Sequence, residues 1–165
     1  MSKVLTSDIE IPAAVPAVFA LRTSERWVEA KRDRFGDAST LVRHSVRADG
    51  GVDFSVSRKL PAGGPAFLEK FLPRDGRAVQ HESWGPPDPD GVFTGTWSVD
   101  IPGTPAQLGG QSILRPTAAG SRQLITGTAK VPIPFVGGKA EQFIVDMTGR
   151  LIATEARLMQ EILSA

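Results

Sequence analysis

Val131-Pro132-Ile133-Pro134-Phe135-Val136-Gly137-Gly138-Lys139 joins two different periodicities. Residues 123–131, before it, carry the β-branched and apolar composition of a strand. After it, Ala140, Phe143, Met147, Leu151, Thr154, Leu158 and Ile162 recur every three or four residues, which places them on one stripe of a helix over residues 139–163. Thr154 is the polar member, and its hydroxyl can bond back to a carbonyl one turn earlier. At ~1.5 Å per residue such a helix is roughly 37 Å long and must cross a whole sheet to bury its stripe. Pro132 and Pro134 end strand pairing, because proline has no N–H to donate to a ladder. Gly137 and Gly138 supply the freedom for a sharp turn onto the sheet.

Working back toward the N-terminus, the chain supplies that sheet. Residues 3–11 read as a strand stopped by Pro12, and Pro16 opens a short helix with Val18, Phe19 and Leu21 as its apolar face. Thr23 or Ser24 offers an N-cap for a second helix over 25–34, ended by Gly36. Extended segments follow at 41–48, 52–60, 77–84, 92–101, 107–115 and 123–131. Asp49-Gly50-Gly51 marks a hairpin between the first two. Residues 61–73 break the pattern, and the spacing of Phe67, Leu68, Phe71 and Leu72 predicts a short helix or structured loop. The order is α+β: a strand, two short helices, a run of antiparallel strands and a long helix. One twisted antiparallel sheet of about seven strands, wrapped around the C-terminal helix, satisfies it.

The 165 residues suit one domain over 1–165 and are enough to bury a core without disulfides or metal. A formal net charge of +1, with Lys and Arg interspersed among acids, gives no basic patch for nucleic acid. The absence of Cys excludes thiolate chemistry and suits a cytoplasmic location. No run approaches the ~20 apolar residues of a membrane span. The uncharged stretch 11–21 follows Asp8 and Glu10 and contains Pro12 and Pro16, so it is not read as an export signal.

That element order and four segments resemble the START-like (SRPBCC, or Bet v 1-like) superfamily, the helix-grip fold. The segments are Ile11-Pro-Ala-Ala-Val-Pro-Ala-Val-Phe19, Glu82-Ser-Trp-Gly-Pro86, Gly95-Thr-Trp-Ser-Val-Asp-Ile-Pro-Gly103 and Lys130-Val-Pro-Ile-Pro-Phe-Val-Gly-Gly-Lys139. Within that superfamily the chain is most similar to the actinobacterial domain-of-unknown-function family 2505. The resemblance implies a cavity between sheet and long helix. Superfamily relatives bind lipids, sterols, polyketides or plant hormones, and some are cyclases or aromatases. It supplies no catalytic motif, because fold alone does not give function.

The chemistry in the sequence is sparse. His44 and His81 are the only histidines, and no spacing adds carboxylates to make a metal site, so no metal or cofactor is expected. Gly137-Gly138-Lys139 lacks the remaining residues of a phosphate loop, and Gly109-Gly110-Gln111-Ser112 is not a nucleophile elbow. Glu141, Asp146, Glu155 and Glu161 are taken as a solvated helix surface. By parity, Arg58 runs with Phe54 and Val56, His44 with Val42 and Val46, and His81 with Val79, so three polar side chains are candidates for an apolar interior. The alternative is that they sit at strand ends, reach solvent, or satisfy buried acceptors such as Glu82. Trp84, Trp97, Phe93 and Phe143 either line a cavity or fill the core. Gly95, Gly127, Ala129 and Ala140 either keep space open or allow close packing.

The leading expectation is a carrier or sensor for a hydrophobic small molecule such as a lipid, isoprenoid or polyketide. Its binding residues would be Phe54, Arg58, His81, Trp97, Phe143 and Met147, with no catalytic group assigned. One alternative is a polyketide cyclase or dehydratase with His81 or His44 as base and Arg58 as oxyanion partner. The other is a ligand-free interaction module that docks through residues 66–72.

Overall fold

β1 (Lys3–Ile11) enters the sheet directly, and Pro12 ends it as expected. The structure, a computed structural model, describes residues 2–36, 38–60, 64–71 and 76–164. Pro16 lies in the first turn of α1 (Val15–Arg22), which buries Val15, Val18 and Leu21. Ser24 caps α2 (Glu25–Phe35) by accepting from the Trp27 N–H at 3.2 Å. Gly36 closes that helix at φ +67°, the left-handed position where a Cβ is penalised.

The remaining strands are β2 (Thr40–Val46), β3 (Val52–Lys59), β4 (Arg77–Trp84), β5 (Phe93–Asp100), β6 (Gln107–Thr117) and β7 (Gly120–Lys130). With β1 they form one seven-stranded antiparallel sheet in the order β1-β7-β6-β5-β4-β3-β2. β1 therefore crosses to pair with the last strand, and β1 and β2 are the free edges. The Asp49-Gly50-Gly51 hairpin forms, with Gly50 at φ +88° and Arg47 N–H donating to Gly51 O at 2.8 Å. β6 and β7 run longer than expected and meet at a tight turn, so residues 116–122 are mostly strand rather than loop. Of the predicted element in 61–73, α3 (Ala66–Glu69) is present; residues 61–63 and 72–73 lie outside the described residues.

α4 (Gly137–Ser164) spans 28 residues, about 42 Å at ~1.5 Å per residue, and packs chiefly on β1 and β7. The turn onto the sheet differs from expectation. Positive φ falls on Phe135 (+67°), which is fully exposed, and not on either glycine. Gly137 is needed for close approach instead: a Cβ there would lie 2.4 Å from Val131 O. Gly138 faces open space.

The core divides into three groups. α1, α2 and the end of α4 enclose Trp27, Trp84, Phe93, Leu114, Leu158 and Met159 at one end. Val28 of α2 packs on Val52, Phe54 and Val56 of β3. At the other end Leu68, Val131 and Ala140 meet half-buried Phe67, Ile133 and Phe143. From between the two ends into the second, the sheet and α4 leave a gap, the candidate site.

Candidate functional site

Successive residues of three elements define the gap. On β3 and the chain just beyond it, Arg58 lies deep and Leu60 outside. Val99 and Ile101 repeat that order at the end of β5, as do Leu151 and Met147 on α4. The outer part is a recess open to solvent, about 680 Å³, lined by Leu68, Phe71, Ile101, Ile133, Phe143 and Met147 among others. Its lining is almost wholly apolar. The inner part, about 490 Å³, has a mixed lining: Arg22, Arg58, Gln80, Ser112 and Glu155 beside Val99, Leu151 and Ile152. Both volumes include open solvent; the space left for water-sized centres is about 80 Å³ in the outer part and about 50 Å³ in the inner.

Ion pairs tie the inner wall to the closed end. The Arg22 Nε–H donates to Glu82 Oε1 at 3.1 Å, and the Trp84 indole N–H reaches the same oxygen at 3.3 Å. The Lys31 ammonium donates to Glu155 Oε1 at 3.4 Å while it lies 5.4 Å from the centre of the Trp27 ring. Gln123 donates to Ser112 Oγ at 3.0 Å. Among the described residues Arg58 has no hydrogen-bond or ion-pair partner.

Two of the acids taken as helix surface are inside. Glu155 is the partner of Lys31, and Glu141 is 1% exposed, accepting the Val131 N–H at 3.0 Å. That bond holds the start of α4 against the end of β7. Glu141 Oε1 is buried without a partner among the described residues. Asp146 and Glu161 do lie on the surface, bonded to Gln142 and Arg34.

The expected site residues divide. Arg58, Phe143 and Met147 line the gap, and so does Trp97. The Trp97 ring lies over the place a Gly127 Cβ would take, with Cζ2 2.6 Å from it, and its indole N–H is 3.2 Å from Thr126 O. Gly95 plays the same part for Trp84, whose ring would be 2.7 Å from a Cβ. Both glycines therefore admit tryptophan rings rather than keep space empty. Phe54 is buried against Val28, away from the gap.

His81 is a correction. It pairs with Ser55 and Ser98 on the opposite, convex face. Ala78 and Trp84, buried, fix the inward parity of β4, and His81 falls on the other. His44 shares a face with Phe54 but is exposed on the edge strand, where a bulge between Leu41 and Arg43 shifts the register. Neither histidine shares a pocket with Arg58, so the base–oxyanion pair considered from sequence is not assembled. Of the expected docking edge at 66–72, Ala66 is exposed, Phe67 and Phe71 are half-buried, Leu68 turns inward and is buried, and residue 72 lies outside the described residues.

Sequence reading missed a chain across the convex face. The Ser55 hydroxyl is 2.8 Å from His81 Nδ1, and His81 Nε2 is 3.1 Å from Asp100 Oδ2. With the Nε2–H donated to the carboxylate, Nδ1 accepts from the hydroxyl. The residue types resemble an acyl-transfer triad, but Ser55 is buried and lies on a central strand whose N–H groups serve the ladder. The chain ties β3, β4 and β5 together across that face.

The curved sheet, the long helix gripped by it and the gap between them define a helix-grip, START/Bet v 1-like fold. Solved structures share the fold. A STAR-related lipid transfer protein from Xanthomonas axonopodis is 22% identical, with TM-score 0.63, over 96% of this chain and 94% of that one. The Zhui aromatase/cyclase from Streptomyces sp. R1128 is 9% identical, with TM-score 0.63, over 99% and 94%. The chain belongs to the family described as "Protein of unknown function (DUF2505)", whose profile matches residues 6–163. An uncharacterised Mycobacterium tuberculosis H37Rv protein is 32% identical over 150 residues, 84% of this chain and 83% of that protein. No helix among the described residues is long and apolar enough to cross a membrane.

Proposed function

We propose that the protein binds a hydrophobic small molecule between sheet and α4, as a carrier or sensor. The observation that carries this reading is the outer recess: Phe71, Ile101, Ile133, Phe143 and Met147 line one apolar space that is open to solvent. Apolar side chains left in water forgo about 25 cal/mol per Å² of buried surface, which an apolar ligand restores. Two proteins of the same fold, a lipid transfer protein and an aromatase/cyclase, are consistent with such a ligand. Phe143 and Met147 would grip its apolar body from the helix side, with Trp97 and Arg58 deeper.

Thermal unfolding in the presence of lipid, isoprenoid and polyketide compounds tests the proposal. A ligand at a hundred times its Kd adds about 2.7 kcal/mol. For a chain of this size that raises Tm by about 5–10 °C. Ala106→Trp, which places an indole in the outer recess, should abolish the rise while the free protein still unfolds cooperatively. An unchanged rise in that variant would put the ligand elsewhere.

A further inference from the structure

Arg58 continues the inward row Phe54, Val56 of β3 and lines the inner part of the gap opposite Leu151 and Ile152. The two other inner cations have carboxylate partners, Arg22 with Glu82 and Lys31 with Glu155. Arg58 has none among the described residues, and a guanidinium cannot shed its proton to escape the cost of partial burial. The inner wall is thus left with one uncompensated positive charge. On the adjacent strand Gln80 pairs with Val56, which puts it diagonal to Arg58 on the same face with an amide N–H to donate. Gln80 also lines this space. An amide N–H beside a guanidinium that has no partner among the described residues suits a planar oxyanion, which arginine can bind through two parallel N–H bonds.

The outer recess offers the head group no such partners, so polarity is graded along the gap. From Ala140 to Leu151 the helix rises roughly 16 Å, enough to hold an extended chain alongside it. We infer that the ligand is a single-carboxylate amphiphile bound head first, its carboxylate on Arg58 and Gln80 and its apolar tail against Phe143, Met147 and Ile133. One uncompensated cation matches a head with one negative charge and leaves the second charge of a dianionic head without a partner. The inference rests on the ligand-binding proposal and adds the chemistry and direction of the ligand.

Calorimetric titration of the full chain with lauric acid, methyl laurate and dodecyl phosphate at neutral pH tests it. Lauric acid should bind at least tenfold more tightly than its methyl ester, and dodecyl phosphate more weakly than lauric acid. Arg58→Gln should bring acid and ester to the same affinity, and Arg58→Lys should keep part of the preference. Equal binding of acid and ester to the unaltered protein overturns the inference and leaves the hydrophobic-ligand reading standing. So does a preference that survives Arg58→Gln, and tighter binding of the phosphate overturns the single-carboxylate assignment. Failure of every compound to bind overturns both readings for this ligand class.

Discussion

Replacing Glu82 by Leu should cost about 3 kcal/mol, the lower end of the range for removing one partner of a buried ion pair. The carboxylate is almost fully enclosed and its side chain is 5% exposed, against 13% for Arg22. Its loss strands two donors at once, the Arg22 guanidinium and the buried Trp84 indole N–H. Arg22 also faces the inner gap, so water can reach it, which argues against the upper end of the range. For a chain of 165 residues the loss corresponds to a fall in Tm of about 6–12 °C. Urea unfolding should show a lower midpoint at an unchanged slope, the mark of lost stability without a change in compactness. Arg22→Met combined with Glu82→Leu removes the stranded charge and should recover stability to within about 1.5 kcal/mol of the parent, the remainder being the unpaired indole. A loss below about 1 kcal/mol for the single variant would refute the ion pair as the link between α1 and β4. A double variant as unstable as the two single losses added together would do the same.

Other perturbations test other parts of the fold. Gly127→Ala should cost about 2 kcal/mol, with a shift in Trp97 fluorescence, because the new methyl meets both the indole and the Gly109 carbonyl oxygen; unchanged emission would contradict that packing. Gly36→Ala should cost about 1 kcal/mol by thermal unfolding, from the left-handed backbone alone, since a Cβ there meets nothing within 4 Å. The Arg122 guanidinium, hydrogen-bonded to Asp8 across β7 and β1, holds that carboxyl below the ordinary aspartate value of 3.8. Its contribution is therefore complete above that value and fades as pH falls through the lower folded pKa. A carboxyl NMR titration should find the Asp8 midpoint depressed, and Arg122→Gln should return it toward 3.8. Asp53, bonded by Ser83 and Arg47, should be depressed likewise and unaffected by that substitution.

The fold was largely legible because its decisive signals are local. Pro12, Ser24, Gly36 and the joint at 131–139 mark element ends through their own backbone chemistry, and β1 and β4 fall at the expected boundaries. The site was less legible, because it depends on which face a residue takes and on distant partners. On β4, Val79 suggested one parity and Trp84 the other; the larger side chain won, and His81 went outward. On α4, counting apolar residues placed Thr154 on the buried stripe, yet Thr154 is exposed and bonds Arg150 O. Glu141 and Glu155 are inside instead, because a backbone N–H on the end of β7 and an ammonium on α2 await them. Such partners leave no trace in hydrophobic periodicity. Arg58, in contrast, follows from strict alternation along β3, where Phe54 and Val56 leave no ambiguity of face.

Native mass spectrometry of the purified protein, followed by organic extraction, tests the ligand-binding proposal most directly. A stoichiometric added mass that is lost on denaturation, and extracts as an apolar carboxylic acid, is the expected result. A bare chain mass that neither shifts nor gains thermal stability with any lipid, isoprenoid or polyketide tried would contradict a ligand site between sheet and helix.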